Sequence, residues 1–123
     1  MKTALLLAAS LPLMCLDANA YEIHSGAVTI CDTHWQVERY VQLFAGSPEV
    51  AIGAVNTEQH DPNACALVNV SYVQGPQLGV VRGTGHAFEI MPIVVVGVNT
   101  PNGYRPAAPA LFFTPVRVAE IAV

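Results

Sequence analysis

The segment TICDTHWQVERY, residues 29–40, decides how the first half of this 123-residue chain folds. Thr33 followed by Gln36 fits a capping box, in which the two side chains satisfy free backbone N–H groups at a helix start. The residues that continue this helix with one apolar face are Val37, Tyr40, Val41 and Phe44. A short strand over 27–31 is predicted to lead into the helix.

A second helix is predicted directly after Gly46, which ends the first. Ser47 suits the N-cap and Pro48 suits the first helical position, where no backbone N–H is needed. The apolar residues that extend this helix to about Glu58 are Val50, Ile52, Ala54 and Val55. The turn-forming run HDPNAC, residues 60–65, then ends the helical part of the chain.

The spacing of apolar residues changes to two after Cys65, which is typical of half-buried strands. The runs LGVVR (78–82) and HAFEI (86–90) flank GTG at 83–85, and a short glycine-containing loop between such runs predicts a β-hairpin. If Arg82 pairs with His86, one face of the hairpin is buried. That face would contain Leu78, Val80, Phe88 and Ile90.

The last third of the chain predicts two further strands. PIVVVGV, residues 92–98, has no polar alternation and is predicted to be a central strand covered on both faces. Pro106 and Pro109 place the following run at an edge of the sheet, before a final strand over 110–121 with a break at Pro115. Phe112 and Phe113 are adjacent, so their rings should point to opposite faces, both of them buried.

These elements predict an α+β fold with two short N-terminal helices packed on one side of a four- to five-stranded antiparallel sheet. Periodicity alone does not separate a flat sheet from one that curls toward a partly open barrel. Residues 21–123 have the length of a single small domain.

Residues 1–20 have the features of a signal peptide. A basic start at Lys2 precedes an apolar run over 4–16, and Ala18-Asn19-Ala20 has the small-x-small form of a cleavage site. The apolar run is too short to span a bilayer, so no stable membrane insertion is expected after cleavage. The mature protein is predicted to begin at Tyr21 and to be periplasmic or secreted.

The charge of the mature chain argues against nucleic-acid binding. Without residues 1–20 the chain keeps four arginines, no lysine and eight acidic residues, a formal net charge of −4. Binding to phosphate backbones relies on clustered lysine and arginine, which this composition does not provide.

Cysteine pairing is the main choice that the sequence leaves open. Cys15 lies in the predicted signal peptide, so the mature chain has only Cys31 and Cys65, which in an oxidising compartment favours one disulfide. The alternative is a zinc-type site, because C-x2-H and H-x4-C approximate paired metal-ligand spacings. Its ligands would be Cys31, His34, His60 and Cys65.

Arg82 and His86 are weaker candidates for a ligand site, at the mouth of the predicted hairpin. Glu89 is three residues from His86, so in a strand the two side chains point to opposite faces and do not form an acid/base pair. No nucleophile elbow, zinc-protease motif or phosphate-binding loop occurs in the chain.

The sequence therefore favours a small exported bacterial protein that binds a partner in the cell envelope without catalysis or cofactor. A small metal-binding protein using the four Cys and His ligands is the alternative. A small hydrolase, with acidic residues brought together from distant positions, is a third.

Overall fold

The computed structural model describes residues 22–83 and 85–118. In chain order the elements are β1 (Ile23–Cys31), α1 (His34–Leu43), α2 (Pro48–Gln59), β2 (Cys65–Gln74), β3 (Gly79–Gly83), β4 (His86–Thr100) and β5 (Gly103–Arg117). The predicted cleavage site before Tyr21 and the predicted strand end at Ile121 lie outside the described residues.

Two helices pack against a five-stranded antiparallel sheet, which confirms the α+β fold. β1 precedes the helices and is longer than predicted, because it pairs with β2 from Ile23 to Cys31. The strand order is β2-β1-β5-β4-β3, and β2 also pairs with β4, so the sheet curls until four strands form a ring of pairings. None of the helices among the described residues is long and apolar enough to cross a membrane.

Both predicted helix starts are confirmed. The backbone N–H of Gln36 donates to Thr33 Oγ1 over 3.2 Å, and the backbone N–H of Thr33 donates to Gln36 Oε1 over 3.0 Å, which completes the capping box. Ser47 caps α2. Val50 is exposed instead of contributing to the apolar face of α2, where Ala51 and Val55 are buried and Ile52 packs against the core.

The core consists of two clusters of apolar side chains. The helix-side cluster lies between the helices and the sheet and contains Cys31, Val37, Tyr40, Val41, Phe44, Ala51, Val55, Cys65, Phe88 and Ile90. The ring cluster contains Ile30, Val70, Tyr72, Ile93 and Val95, all of which lie on strands. As predicted, Phe112 and Phe113 point to opposite faces, because Phe112 packs on the ring cluster and Phe113 on the helix-side cluster. Both rings are only partly buried, whereas both were predicted to be buried.

The register of the first hairpin differs from the prediction by one residue. Gly83 lies opposite His86, and Arg82 lies opposite Ala87. A shift of one residue turns every side chain of a strand to the other face. Phe88 and Ile90 are buried as predicted, but Leu78 and Val80 are 53% and 51% exposed, and Val81 packs on the core in their place.

The run PIVVVGV lies in a central strand but is covered on one face only. β4 pairs with β2, β3 and β5, and Ile93 and Val95 are buried. Val94 and Val98 on the same strand are exposed. The helix-side cluster includes only the first part of β4, at Phe88 and Ile90, so the later part lacks a second cover.

The proline-containing part of β5 lies at an exposed edge, in agreement with its two prolines. Residues Gly103–Pro109 are all exposed, and the register with β4 shifts between Val95 and Gly97. The strand does not break at Pro115, which pairs with Ile90.

Candidate functional site

The two cysteines form a disulfide, which confirms the leading prediction for them. Cys31 of β1 lies directly opposite Cys65 of β2, and the two sulfurs are bonded. Neither residue is then a thiolate that could bind a metal. Among the described residues, no group of three or more His, Cys, Asp or Glu side chains is placed to hold a metal ion.

The two histidines of the alternative metal site have separate environments. The His34 ring packs against Trp35, with 4.3 Å between ring centroids, and lies edge-on to Phe113 at 6.1 Å. His60 ends α2 in a left-handed backbone conformation and is exposed. His34 therefore belongs to an aromatic surface, whereas His60 belongs to a helix terminus.

Arg82 and His86 do not lie opposite each other, because of the hairpin register. His86 instead contacts Arg117 of β5, whose guanidinium donates to the imidazole Nδ1. The same guanidinium lies over the Phe44 and Phe88 rings, 5.9 and 5.8 Å from their centroids. The basic group that accompanies His86 is thus Arg117, which lies 31 residues away in the sequence and not in the hairpin.

A groove of about 420 Å3 separates β1 from the end of β5, and we call it the β1–β5 groove. Within the described residues, β1 and β5 pair only at Cys31 and Phe113. The residues that line the groove are Ala27, Val28, Thr29, Pro48, Leu67, Tyr72, Gln74, Thr114, Pro115, Val116 and Arg117. This volume lies within the usual range for ligand sites in proteins.

Buried hydroxyl groups form the closed end of the groove. Thr114 Oγ1 donates to the carbonyl oxygen of Thr29 over 2.6 Å, and both threonines are buried. Tyr40, in the helix-side cluster, is also buried. Burial raises the pKa of the Tyr40 phenol above its usual value.

Arg117 supplies the charge of the groove. It is the only charged side chain among the described residues that line it. The remaining lining is apolar, hydroxyl or amide in character. The electrostatic character of the groove therefore suits a ligand with a negative group near its Arg117 end.

A row of apolar side chains crosses four strands on the outside of the ring, and we call it the apolar row. Ile23 lies opposite Val73, Val73 opposite Val94, and Val94 opposite Leu111. Residues directly opposite each other share one face of a sheet. Ile23 and Leu111 are 63% and 59% exposed, so the row lies open to solvent.

Trp35 adds a large exposed aromatic group near the disulfide. Its side chain is 67% exposed, and its ring contacts His34, which in turn contacts Phe113. Phe113 is two residues from Leu111 on β5, so the aromatic surface lies next to one end of the apolar row.

The disulfide could be predicted from the number of cysteines. The β1–β5 groove could not, because it depends on how two strands distant in sequence separate.

No protein family, curated protein or solved structure matches the chain. Evidence for its function therefore comes from its own surfaces.

Proposed function

We propose that this protein is a small exported module that binds a protein partner in the cell envelope and has no catalytic role. The observation that carries the proposal is the apolar row, in which Ile23, Val73, Val94 and Leu111 adjoin one another across four strands. Adjoining exposed apolar side chains mark interaction surfaces more often than single ones do.

The energetics of the row support a partner. Covering one large aliphatic side chain contributes about 1.5 to 3 kcal/mol, and three members of the row are substantially exposed. The row carries no charge, and the centres of protein interfaces are depleted of charged residues. A protein surface with an apolar centre would therefore fit it without burying an unpaired charge.

Export is supported by the disulfide and by the N-terminal sequence. Disulfides persist in oxidising compartments such as the periplasm, and Cys31–Cys65 is of this structural kind, since it joins two paired strands within the core. The apolar run over 4–16 followed by Ala18-Asn19-Ala20 fits a signal peptide.

Site-specific photo-crosslinking in the native cell envelope tests the proposal. A photoreactive amino acid at Leu111 would report contacts of the apolar row, and the same group at Leu78 is the matched control, because Leu78 is a comparably exposed leucine outside the row. We expect a discrete adduct of higher mass from Leu111 only. Absence of an adduct at Leu111, or equal adducts at both positions, would contradict the proposal.

A further inference from the structure

The backbone of β5 presents hydrogen-bonding groups to the β1–β5 groove. In an antiparallel sheet, the N–H and C=O of successive residues point to opposite sides of the strand. The carbonyl oxygen of Ile90 accepts from the N–H of Leu78, so the backbone groups of Ile90 point away from β5. Its partner Pro115 therefore directs its own backbone groups away from β4 and into the groove, as does Arg117 two residues later.

β1 presents a matching set on the opposite wall. The N–H of Asp32 donates to the carbonyl oxygen of Ala64, which precedes β2. The backbone N–H and C=O groups of the even-numbered residues of β1 therefore point toward β2. Thr29 and Ala27, which are odd-numbered, therefore point their backbone groups into the groove.

Pro115 explains why the two walls do not pair with each other. Continuing the Cys31–Phe113 register by two residues places Thr29 opposite Pro115. Proline has no N–H, so it cannot donate to the Thr29 carbonyl oxygen, and the Thr114 hydroxyl donates to that oxygen instead. The ladder ends there, and beyond it Ala27 and Arg117 line the open part of the groove.

We infer that the β1–β5 groove binds an extended peptide segment of the partner by strand addition, with a carboxylate of that segment held by Arg117. This inference rests on the proposed function, since it names the part of the partner that is recognised. An added strand takes its affinity from main-chain hydrogen bonds and its specificity from pockets for alternate side chains.

The side chains of the groove agree with a peptide ligand of this kind. Val28, Val116 and Tyr72 provide apolar contacts for alternate side chains, and Arg117 provides one positive charge. A guanidinium binds a carboxylate in a planar, two-bonded geometry that a neutral donor does not reproduce. No carboxylate is found among the described lining residues. The guanidinium donates to His86 and lies over the Phe44 and Phe88 rings, so a peptide carboxylate would be held by the N–H groups that His86 leaves free.

The test uses three synthetic heptapeptides of alternating threonine and valine and isotope-labelled protein observed by NMR. One peptide has a free C-terminal carboxylate, one a C-terminal amide, and one the amide with a glutamate near its end. We expect the amide signals of Ala27, Thr29 and Arg117 to shift with either carboxylate-bearing peptide, and less with the uncharged one. The two acidic peptides separate a terminal from a side-chain carboxylate.

Matched variants identify the groups involved. Arg117→Gln should weaken binding of an acidic peptide at least about tenfold, whereas Arg105→Gln, an exposed arginine of β5 outside the groove lining, should not. Ala27→Pro removes a groove-facing N–H without removing a donor to β2 and should also weaken binding. N-methylation of alternate peptide bonds in the ligand should have the same effect.

Two results would overturn the inference. One is that the groove signals do not shift at millimolar peptide. The same holds if the acidic and uncharged peptides shift them equally, or if Arg117→Gln binds the acidic peptides as tightly as the unchanged protein does. The other is that the same signals shift with protein concentration alone, which would make a second copy of the chain the occupant. If the Leu111 adduct forms but the groove signals do not shift, only this inference is contradicted. If peptide binds the groove but the Leu111 adduct does not form, only the apolar-row contact is contradicted.

Discussion

Gly83 of β3 approaches the carbonyl oxygen of Val41 in α1 so closely that an added Cβ would lie 2.5 Å from that oxygen. No side chain fits at that distance, so this position requires glycine. The contact also orients the strand, because when Gly83 faces the helix, Val81 faces the helix-side cluster.

Gly83→Ala should therefore destabilise the fold. We expect a loss of about 1 to 3 kcal/mol in the free energy of unfolding, as for other overpacked sites. Gly79→Ala in the same strand is the control, because an added Cβ there meets nothing within 4 Å. Chemical denaturation of both variants decides the matter, and equal stabilities would show that α1 and β3 do not approach each other in this way.

Phe88→Ala should remove a large side chain from the helix-side cluster. Phe88 is buried and packs edge-on against Phe44, with ring centroids 5.4 Å apart. The expected cost is about 3 to 5 kcal/mol, as for other aromatic truncations in cores. Val80→Ala tests the corrected register, since an exposed valine should change stability by only about 0.5 kcal/mol. A loss from Val80→Ala well above about 0.5 kcal/mol would instead favour the originally predicted register, in which Val80 is buried.

Reduction of Cys31–Cys65 should lower the free energy of unfolding by about 3 to 4 kcal/mol, because the bond closes a loop of 34 residues. His34→Ala should cost much less, since its ring contacts the exposed Trp35 and only the edge of the partly buried Phe113. Thiol alkylation and mass measurement of exported protein check the pairing. Two alkylatable cysteines before reduction, together with zinc that is lost in His34→Ala, would favour the metal site.

Stability should fall at alkaline pH because of Tyr40. Burial raises its pKa above 10.0, so the folded state holds the phenol proton more tightly than the unfolded state. This contribution is fully present below pH 10.0 and is lost as the pH rises through the folded pKa. Tyr40→Phe should therefore show a smaller alkaline decline in denaturation experiments than the exposed control Tyr104→Phe. Identical declines in the two variants would exclude Tyr40 as the cause.

Local sequence signals predicted the local structure well. Three features were predicted from a few residues that have one usual structural role: the capping box of Thr33 and Gln36, the Ser47 cap and the disulfide. The hairpin register was missed because hairpin loops of two and of three residues are both common, so the GTG run fits either register. The approach of Gly83 to Val41, which distinguishes them, involves residues distant in sequence.

The candidate site was less accessible to sequence analysis. Pro115 was recognised as a break, but its effect falls on the pairing of β5 with β1 and not on β5 itself. A proline removes a hydrogen bond to the neighbouring strand toward which its backbone groups point. For Pro115 that strand is β1, and this direction is set by the pairing of the whole sheet. The apolar row has the same origin, since β4 is apolar on both faces while the helix-side cluster includes only its first part.

The most direct test of the proposed function is the yield of the Leu111 photo-adduct after a charge is placed beside it. Val94→Asp puts a carboxylate opposite Leu111 within the apolar row, and Val80→Asp is the control on an exposed strand elsewhere. Val94 is 37% exposed and Val80 51%, so the melting temperature of each variant is measured first to establish that both are folded. We expect the adduct to be lost in Val94→Asp and retained in Val80→Asp, whereas an undiminished adduct in a folded Val94→Asp protein would contradict a partner bound at this row.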